Sequence, residues 1–377
     1  MKKYELIATT TFGLEAIVKR ELQDLGFEIT ETENGKVGFL ADEKGIVKAN
    51  LWLRCADRVL LKVAQFKAVT FDELFDKTKA IDWSEFIPKN GRFPVDGQSV
   101  KSTLFSISDS QAIVKKAIVE NLRKTYKIDW FPETGALFNV KVSLLKDIAT
   151  LTIDTSGVAL HKRGYRQSAV IAPLKETLAS ALVLLSFWKK DRVLIDPFCG
   201  SGTIPIEAAM IARNIAPGLN RDFAFKEWPL IKEEDLKEVT REAYQAIDHE
   251  ADIKIYAYDI LEENIEAAIE NADDAGVLDC ITFEQKDFKD LEVKEDYSIM
   301  ITNPPYGERL SEKDEVTKLY QLMGEKLGKL ETWSCYVITS EKDFETMFGK
   351  KADRRRKLYN GRIETIYYQF YGKNPNK

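Results

Sequence analysis

The 377-residue sequence is poor in the side chains that build metal and disulfide sites, with four cysteines and two histidines. Cys55, Cys199, Cys280 and Cys335 are scattered and no C-x-x-C occurs, so neither a disulfide framework nor a zinc site is expected. No apolar run is long enough for a bilayer: the longest, Leu178 to Trp188, falls short of about 20 residues and runs into Lys189 and Lys190. Met1-Lys2-Lys3 has the charge of a signal-peptide start, but Glu5, Glu15 and Lys19 interrupt any apolar core, and a cytoplasmic protein is expected. Glycine and proline are modest, at 20 and 11 residues, while 44% of the chain is hydrophobic and 31% charged. Collagenous and disordered chains are excluded, and the length fits two or three domains of roughly 100 to 200 residues.

Positive charge is also in deficit, with a net charge of −6. The deficit is uneven. Residues 1–160 carry 23 basic and 22 acidic side chains, and residues 161–377 carry 32 and 39. Within the first half, residues 101–127 hold Lys101, Lys115, Lys116, Arg123, Lys124 and Lys127 against only Asp109 and Glu120. Such a face suits phosphates.

Hydrophobic periodicity predicts a strand over Tyr4 to Ala8, a helix over Leu14 to Leu25 stopped by Gly26, a strand over Lys36 to Leu40 and a helix through Trp52. Strands are expected at Arg58 to Phe66 and Val100 to Ile107, followed by a helix capped by Ser108 or Asp109. Phe138 to Leu145 and Ile148 to Ile153 alternate around Lys146-Asp147 as a β-hairpin. A basic connector, Leu160 to Arg166, precedes an apolar helix from Leu174 to Trp188. From Arg192 onward, short apolar runs alternate with helical segments: Val193 to Ile195, Ile253 to Tyr258, Ile281 to Phe283, Ser298 to Ile301 and Cys335 to Ile338. That rhythm predicts a doubly wound, mainly parallel α/β sheet, which binds ligands beyond the carboxyl ends of its strands. The expected units are residues 1–55, a ferredoxin-like α+β subdomain; 56–156, a second α+β unit; and 157–377, the α/β domain.

The strand ends carry the chemistry. Asp196-Pro197-Phe198-Cys199-Gly200-Ser201-Gly202-Thr203 is a glycine turn opening a helix, where the backbone bends sharply and presents N–H groups; the same pattern also serves as a plain tight connection. Its spacing is neither G-x-G-x-x-G nor a P-loop. Asp259 follows the second run, placed to accept from ribose hydroxyls or, with Glu262, to form a capping box. Asp287 follows the third, as an acceptor for an adenine amine or as a turn residue. Asn303-Pro304-Pro305-Tyr306 follows the buried run Ser298 to Ile301. An Asn-Pro-Pro turn can be only a connection, but here the Asn303 oxygen and the Pro304 carbonyl become rigid acceptors for an exocyclic amine, with Tyr306 placed to stack on its ring. The run Lys350 to Lys357 reads as a solvated turn more readily than as a nucleic-acid contact.

Asp196 to Thr203 together with Asn303 to Tyr306 resembles the class I S-adenosylmethionine-dependent amino methyltransferases. Leu160 to Arg166, Ala172 to Thr177, Phe225 to Pro229 and Asn303 to Leu310 resemble, more narrowly, the THUMP-containing guanine-N2 methyltransferases of large-subunit ribosomal RNA, and residues 56–156 resemble the THUMP RNA-binding domain. The resemblance implies a Rossmann-like methyltransferase domain after a ferredoxin-like/THUMP region. It implies S-adenosylmethionine held by Asp196, Phe198, Gly200, Gly202, Thr203, Asp259, Asp287 and Asn303, with Pro173 and Thr177 from an upstream segment. Asn303, Pro304 and Tyr306 would be catalytic. RNA phosphates would meet Lys115, Lys116, Arg123 and Lys124 on the basic helix and Arg163 and Arg166 in the connector. Transfer RNA as substrate, or a non-catalytic RNA-binding assembly factor, are the rival readings. Some relatives carry a second methyltransferase half, which this sequence does not match.

Overall fold

The computed structural model describes residues 2–166, 174–292, 295–306 and 313–373. Its first half is β1 (Tyr4–Thr9), α1 (Glu15–Asp24), β2 (Glu28–Glu33), β3 (Lys36–Ala41), α2 (Glu43–Trp52), β4 (Arg58–Lys67), α3 (Phe71–Lys79), β5 (Val95–Val100), α4 (Ile107–Tyr126), β6 (Val140–Leu145) and β7 (Ile148–Asp154). These strands form one sheet in the order β2-β3-β1-β4-β7-β6-β5. β4 pairs with β1 along one edge and with β7 along the other, so the ferredoxin-like unit and the THUMP unit share a continuous sheet.

Helix and groove faces follow from the two-residue period of the strands. A Cβ at Gly97 of β5 would meet Gln111 and Ile107 of α4, at 3.0 and 3.3 Å, so the glycine leaves room for the helix on that face. Gln98, one residue on, therefore points to the opposite face. The strand expected over Val100 to Ile107 lies instead at Val95–Val100, and Ile107 already opens α4. The cap is Ser106, whose Oγ accepts from the Asp109 N–H at 3.4 Å, two or three residues ahead of the expected Ser108 or Asp109. The hairpin closes where alternation placed it, with Leu145 opposite Ile148 and both Lys146 and Asp147 at positive φ.

The second half comprises α5 (Glu176–Leu185), β8 (Leu194–Asp196), α6 (Thr203–Ala212), α7 (Glu233–Gln245), β9 (Ile255–Asp259), α8 (Glu262–Asp274), β10 (Ile281–Gln285), β11 (Ile299–Thr302), α9 (Lys313–Leu327), β12 (Ser334–Thr339), α10 (Phe344–Phe348), β13 (Arg354–Asn360) and β14 (Ile363–Phe370). Its sheet has the order β10-β9-β8-β11-β12-β14-β13. The first five are parallel and β14 and β13 reverse in turn. The chain leaves β8 toward β9 and later returns to its other side as β11, which puts a crevice above β8.

The basic run is not a turn. Residues 354–357 open edge strand β13, with Arg355 donating to Glu345 at 2.9 Å and Lys357 2.6 Å from Glu364. Charge on an edge strand keeps it from pairing with other sheets. The halves are joined by packed rings, with Phe138 stacked on Trp228 at 4.9 Å and the Trp228 indole N–H donating to the Leu137 carbonyl. Among the described residues no helix is long and apolar enough to cross a membrane.

Candidate active site

The strand-end residues converge. A cavity of about 470 Å³ above β8 is lined by Asp196, Phe198, Gly200, Thr203, Asp259, Asp287 and Asn303. Asp196 ends β8 and accepts from the Thr302 hydroxyl at 2.6 Å and the Phe198 N–H at 3.2 Å, which ties β8 to β11 just before Asn303. Asp259 ends β9. One of its oxygens accepts from the Leu261 N–H and the Asn264 amide, the other from the Gly200 N–H, all at 3.0 Å. It forms an Asx turn that grips the glycine loop, rather than the capping box that Glu262 offered.

Gly200 and Gly202 lie at φ +52° and +80°, where a side chain is strained. They differ in surroundings: a Cβ on Gly200 meets nothing, whereas one on Gly202 would come within 3.0 Å of the Ala268 methyl, so Gly202 sits behind the cavity and seats α6 against α8. Pro205 lies in the first turn of α6, where its missing N–H leaves no intrahelical bond unmade.

Two fully or nearly buried carboxylates face this cavity. Burial, aided by the nearby Asp259 charge and opposed by Thr302 and Phe198, pushes the Asp196 carboxyl up to about 7. In the folded, ligand-free protein it thus holds its proton far more tightly than the roughly 4 of an unfolded chain. Its favourable contribution is complete below pH 4 and is lost as pH rises through 7. Asp196→Asn preserves the accepting oxygen and removes the ionisation. The variant is therefore expected to gain more melting temperature over the wild type at pH 8 than at pH 5, as followed by scanning fluorimetry without cofactor. A difference independent of pH would contradict this.

Of the remaining walls, Ile260, Leu261 and Phe288 escaped motif reading. Ile260 and Leu261 are largely exposed apolar residues beside Asp259, and Phe198 stacks on Phe288 at 5.2 Å. They offer flat apolar surface for an aromatic ring next to Asp287. Backbone and side-chain bonds from Lys289 hold the Asp287 carboxyl below the usual carboxylate range, so it is both a turn residue and a charged wall of the cavity. Cys199 is a buried turn residue whose thiol burial raises well above its ordinary range, which disfavours the thiolate.

The Asn-Pro-Pro-Tyr turn is held from below. Tyr320 of α9, wholly buried, donates to the Pro305 carbonyl at 2.9 Å and lies 3.0 Å from the Thr339 hydroxyl at the end of β12. Asn303 and Pro305 line the cavity, and Pro304 is buried beside them. The Tyr306 hydroxyl donates to the Asn303 side-chain oxygen, so the acceptor meant for an amine is covered in this conformation.

Other expected residues lie elsewhere. Thr177 is buried and its hydroxyl faces the Asp57 carboxyl, outside the cavity, because its turn of α5 points toward the first half. Pro173 falls outside the described residues. Arg163 is not a phosphate contact. Its guanidinium is buried, 3.4 Å from Glu207 and donating to the Leu160 and Arg54 carbonyls. Arg166 also turns inward, donating to the Thr203 hydroxyl at 2.6 Å and the Leu174 carbonyl at 3.2 Å, where it supports the glycine turn. On α4, Lys115 is committed to Glu133 and the Phe93 carbonyl, and Arg123 is paired with Asp129. Lys116 and Lys124 are exposed without an ion-pair partner among the described residues.

The cavity fits S-adenosylmethionine by its donor set: carboxylates for a cationic ligand with a ribose, a glycine loop open to close approach, and an apolar slot for a base. A Rossmann-like sheet with this set of strand ends after a THUMP region defines a class I S-adenosylmethionine-dependent RNA methyltransferase. Family comparison agrees: residues 5–60 match the RlmL ferredoxin-like domain, 68–154 the THUMP domain and 163–369 the RMKL-like methyltransferase domain. The chain belongs to this RMKL-like methyltransferase family. It is 52% identical to YpsC of Bacillus subtilis (strain 168) over 99% of this chain and 97% of that one. It is 35% identical to ribosomal RNA large subunit methyltransferase K/L of Syntrophotalea carbinolica over 97% of its own length and 53% of that protein's, so it spans about half of that relative. The crystal structure of SMU.472, complexed with SAH, superposes with a TM-score of 0.94 at 44% identity over 99% of both chains.

Proposed function

We propose that this enzyme methylates the exocyclic N2 amine of a guanine in large-subunit ribosomal RNA. The observation that carries the reading is Asn303, a side-chain acceptor on a turn stiffened by two prolines, at the rim of the cofactor cavity and tethered through Tyr320. S-adenosylmethionine supplies an electrophilic methyl group on its sulfonium. The residues supply alignment. The Asn303 oxygen and the Pro304 carbonyl accept the two amine N–H groups, turning the nitrogen lone pair toward the methyl, and the Tyr306 hydroxyl gives up its place on Asn303 as the amine arrives. The nitrogen–carbon bond forms as the carbon–sulfur bond breaks, and the extra proton leaves to water. Such a site needs no general base.

The THUMP region supports RNA over DNA or protein as substrate, and the relative named for large-subunit ribosomal RNA supports the ribosome over transfer RNA. The test is single-turnover methylation of unmodified ribosomal and transfer RNA, with the product identified by mass spectrometry. N2-methylguanosine in the large-subunit RNA is expected. A methylated adenine, or product in transfer RNA alone, would overturn the assignment.

A further inference from the structure

We propose that the uncovered face of the first sheet holds single-stranded RNA and passes it over Phe12 and Tyr359 to the Asn303 pocket. The proposal rests on RNA being the substrate and adds where the strand lies. Helix α4 covers the Gly97 face of this sheet. The opposite face bounds an open groove of about 480 Å³.

Strand register orders its surface. Gln98, Ser143, Thr150 and Gln65 stand side by side across β5, β6, β7 and β4, with Gln98 donating to Ser143 at 2.8 Å and Gln65 to Thr150 at 3.4 Å. The next row on the same face, Val100, Leu145 and Ile148, leaves apolar side chains exposed. Side-chain amides and hydroxyls can hydrogen-bond base edges, and the apolar row beside them offers base faces a dry surface. The charge is complementary to phosphate. Three lysines line the groove, Lys36, Lys141 and Lys146, against one acid, Glu33, which is itself 3.0 Å from Lys36. Lys141 and Lys146 have no ion-pair partner among the described residues. A positive groove in a chain of net charge −6 favours an anionic strand.

Packed neighbours link one end of the groove to the site. One end is formed by Thr9 and Gly35, and Gly35 accepts from the Thr10 N–H. The chain continues to Phe12, half-exposed, whose ring meets Tyr359 edge-on at 6.2 Å near the tip of the β13–β14 hairpin. There β14 adjoins β12, with Ile366 opposite Thr339, and Thr339 lies against Tyr320, which holds the Asn-Pro-Pro-Tyr turn. The groove and α4 lie on opposite faces of one sheet, so the two surfaces can be told apart.

The test uses the full chain and a labelled, mixed-sequence, single-stranded RNA of about 15 nucleotides. Lys141→Glu with Lys146→Glu is expected to weaken binding about tenfold or more and to reduce the slope of log affinity against log salt by about 1.4, with cofactor affinity retained. If that pair fails to fold, Lys141→Gln with Lys146→Gln carries the same expectation for the slope. Phe12→Ala is expected to weaken RNA binding with the salt slope unchanged. Wild-type binding with no loss in the groove variants, or a loss confined to Lys116→Glu with Lys124→Glu on α4, would overturn the groove. A wild type that binds neither this strand nor ribosomal RNA would bring down the RNA reading itself.

Discussion

Asn303→Ala is expected to slow single-turnover methylation by roughly a hundredfold or more while cofactor and RNA affinities change by no more than a fewfold. The estimate follows the loss of one preorganised polar contact to charge that develops only in the transition state. The fold should survive. Asn303 is only partly buried, and the turn keeps Thr302 on Asp196 and Tyr320 on Pro305 without it. The substitution also frees the Tyr306 hydroxyl from its acceptor, so binding of the base has one less bond to displace. Rate at saturating RNA separates the effects. A near-normal rate would remove Asn303 from the chemistry, and a rate lost together with cofactor affinity would make it a cofactor ligand only.

Arg163→Ala is expected to cost about 3 to 5 kcal/mol of stability and to lower the melting temperature by on the order of 10 °C. Glu207 is wholly buried on α6 and accepts from Arg163, Tyr165 and Ser180. Removing the guanidinium leaves that carboxylate without its ion-pair partner and the Arg54 and Leu160 carbonyls without a donor. The effect is structural, so denaturant and thermal melts carry it. A melting temperature within about 2 °C of the wild type, with RNA binding reduced, would return Arg163 to the phosphate-contact role that its place in a basic connector suggested.

The strand ends were legible because turn chemistry is local. Glycines at positive φ, acids after β9 and β10, and a double proline after β11 each state their geometry within a few residues. Edge strands were not. β2 alternates glutamate with isoleucine and threonine and is mostly exposed, so no apolar period marks it. The β13 strand hid behind its arginines for the same reason. Direction was the other blind spot. Arg163, Arg166 and Lys115 count as positive charge in any composition, yet each is consumed by a carboxylate or carbonyl that only the tertiary fold brings near. Tyr320 had no motif at all, because its partners Pro305 and Thr339 come from two strand ends on either side of its own helix in the chain.

The shared strand β4 gives the RNA-binding half no hinge. Paired with β1 over Arg58 to Leu61 and with β7 over Leu60 to Lys67, it makes residues 4–154 a single plate, and the Phe138–Trp228 stack and the Arg163 carbonyl bonds rivet that plate to the cofactor domain. A jaw that closes on its substrate gains contacts by moving; a riveted template offers only the contacts it already presents. The few kcal/mol needed to lift a stacked base out of its neighbours must then come from the contacts the nucleic acid gains as it conforms to the protein's contour, less the cost of bending it. Selection would fall on RNA segments already loose or curved enough to conform, and the same guanine locked in a finished helix would be passed over.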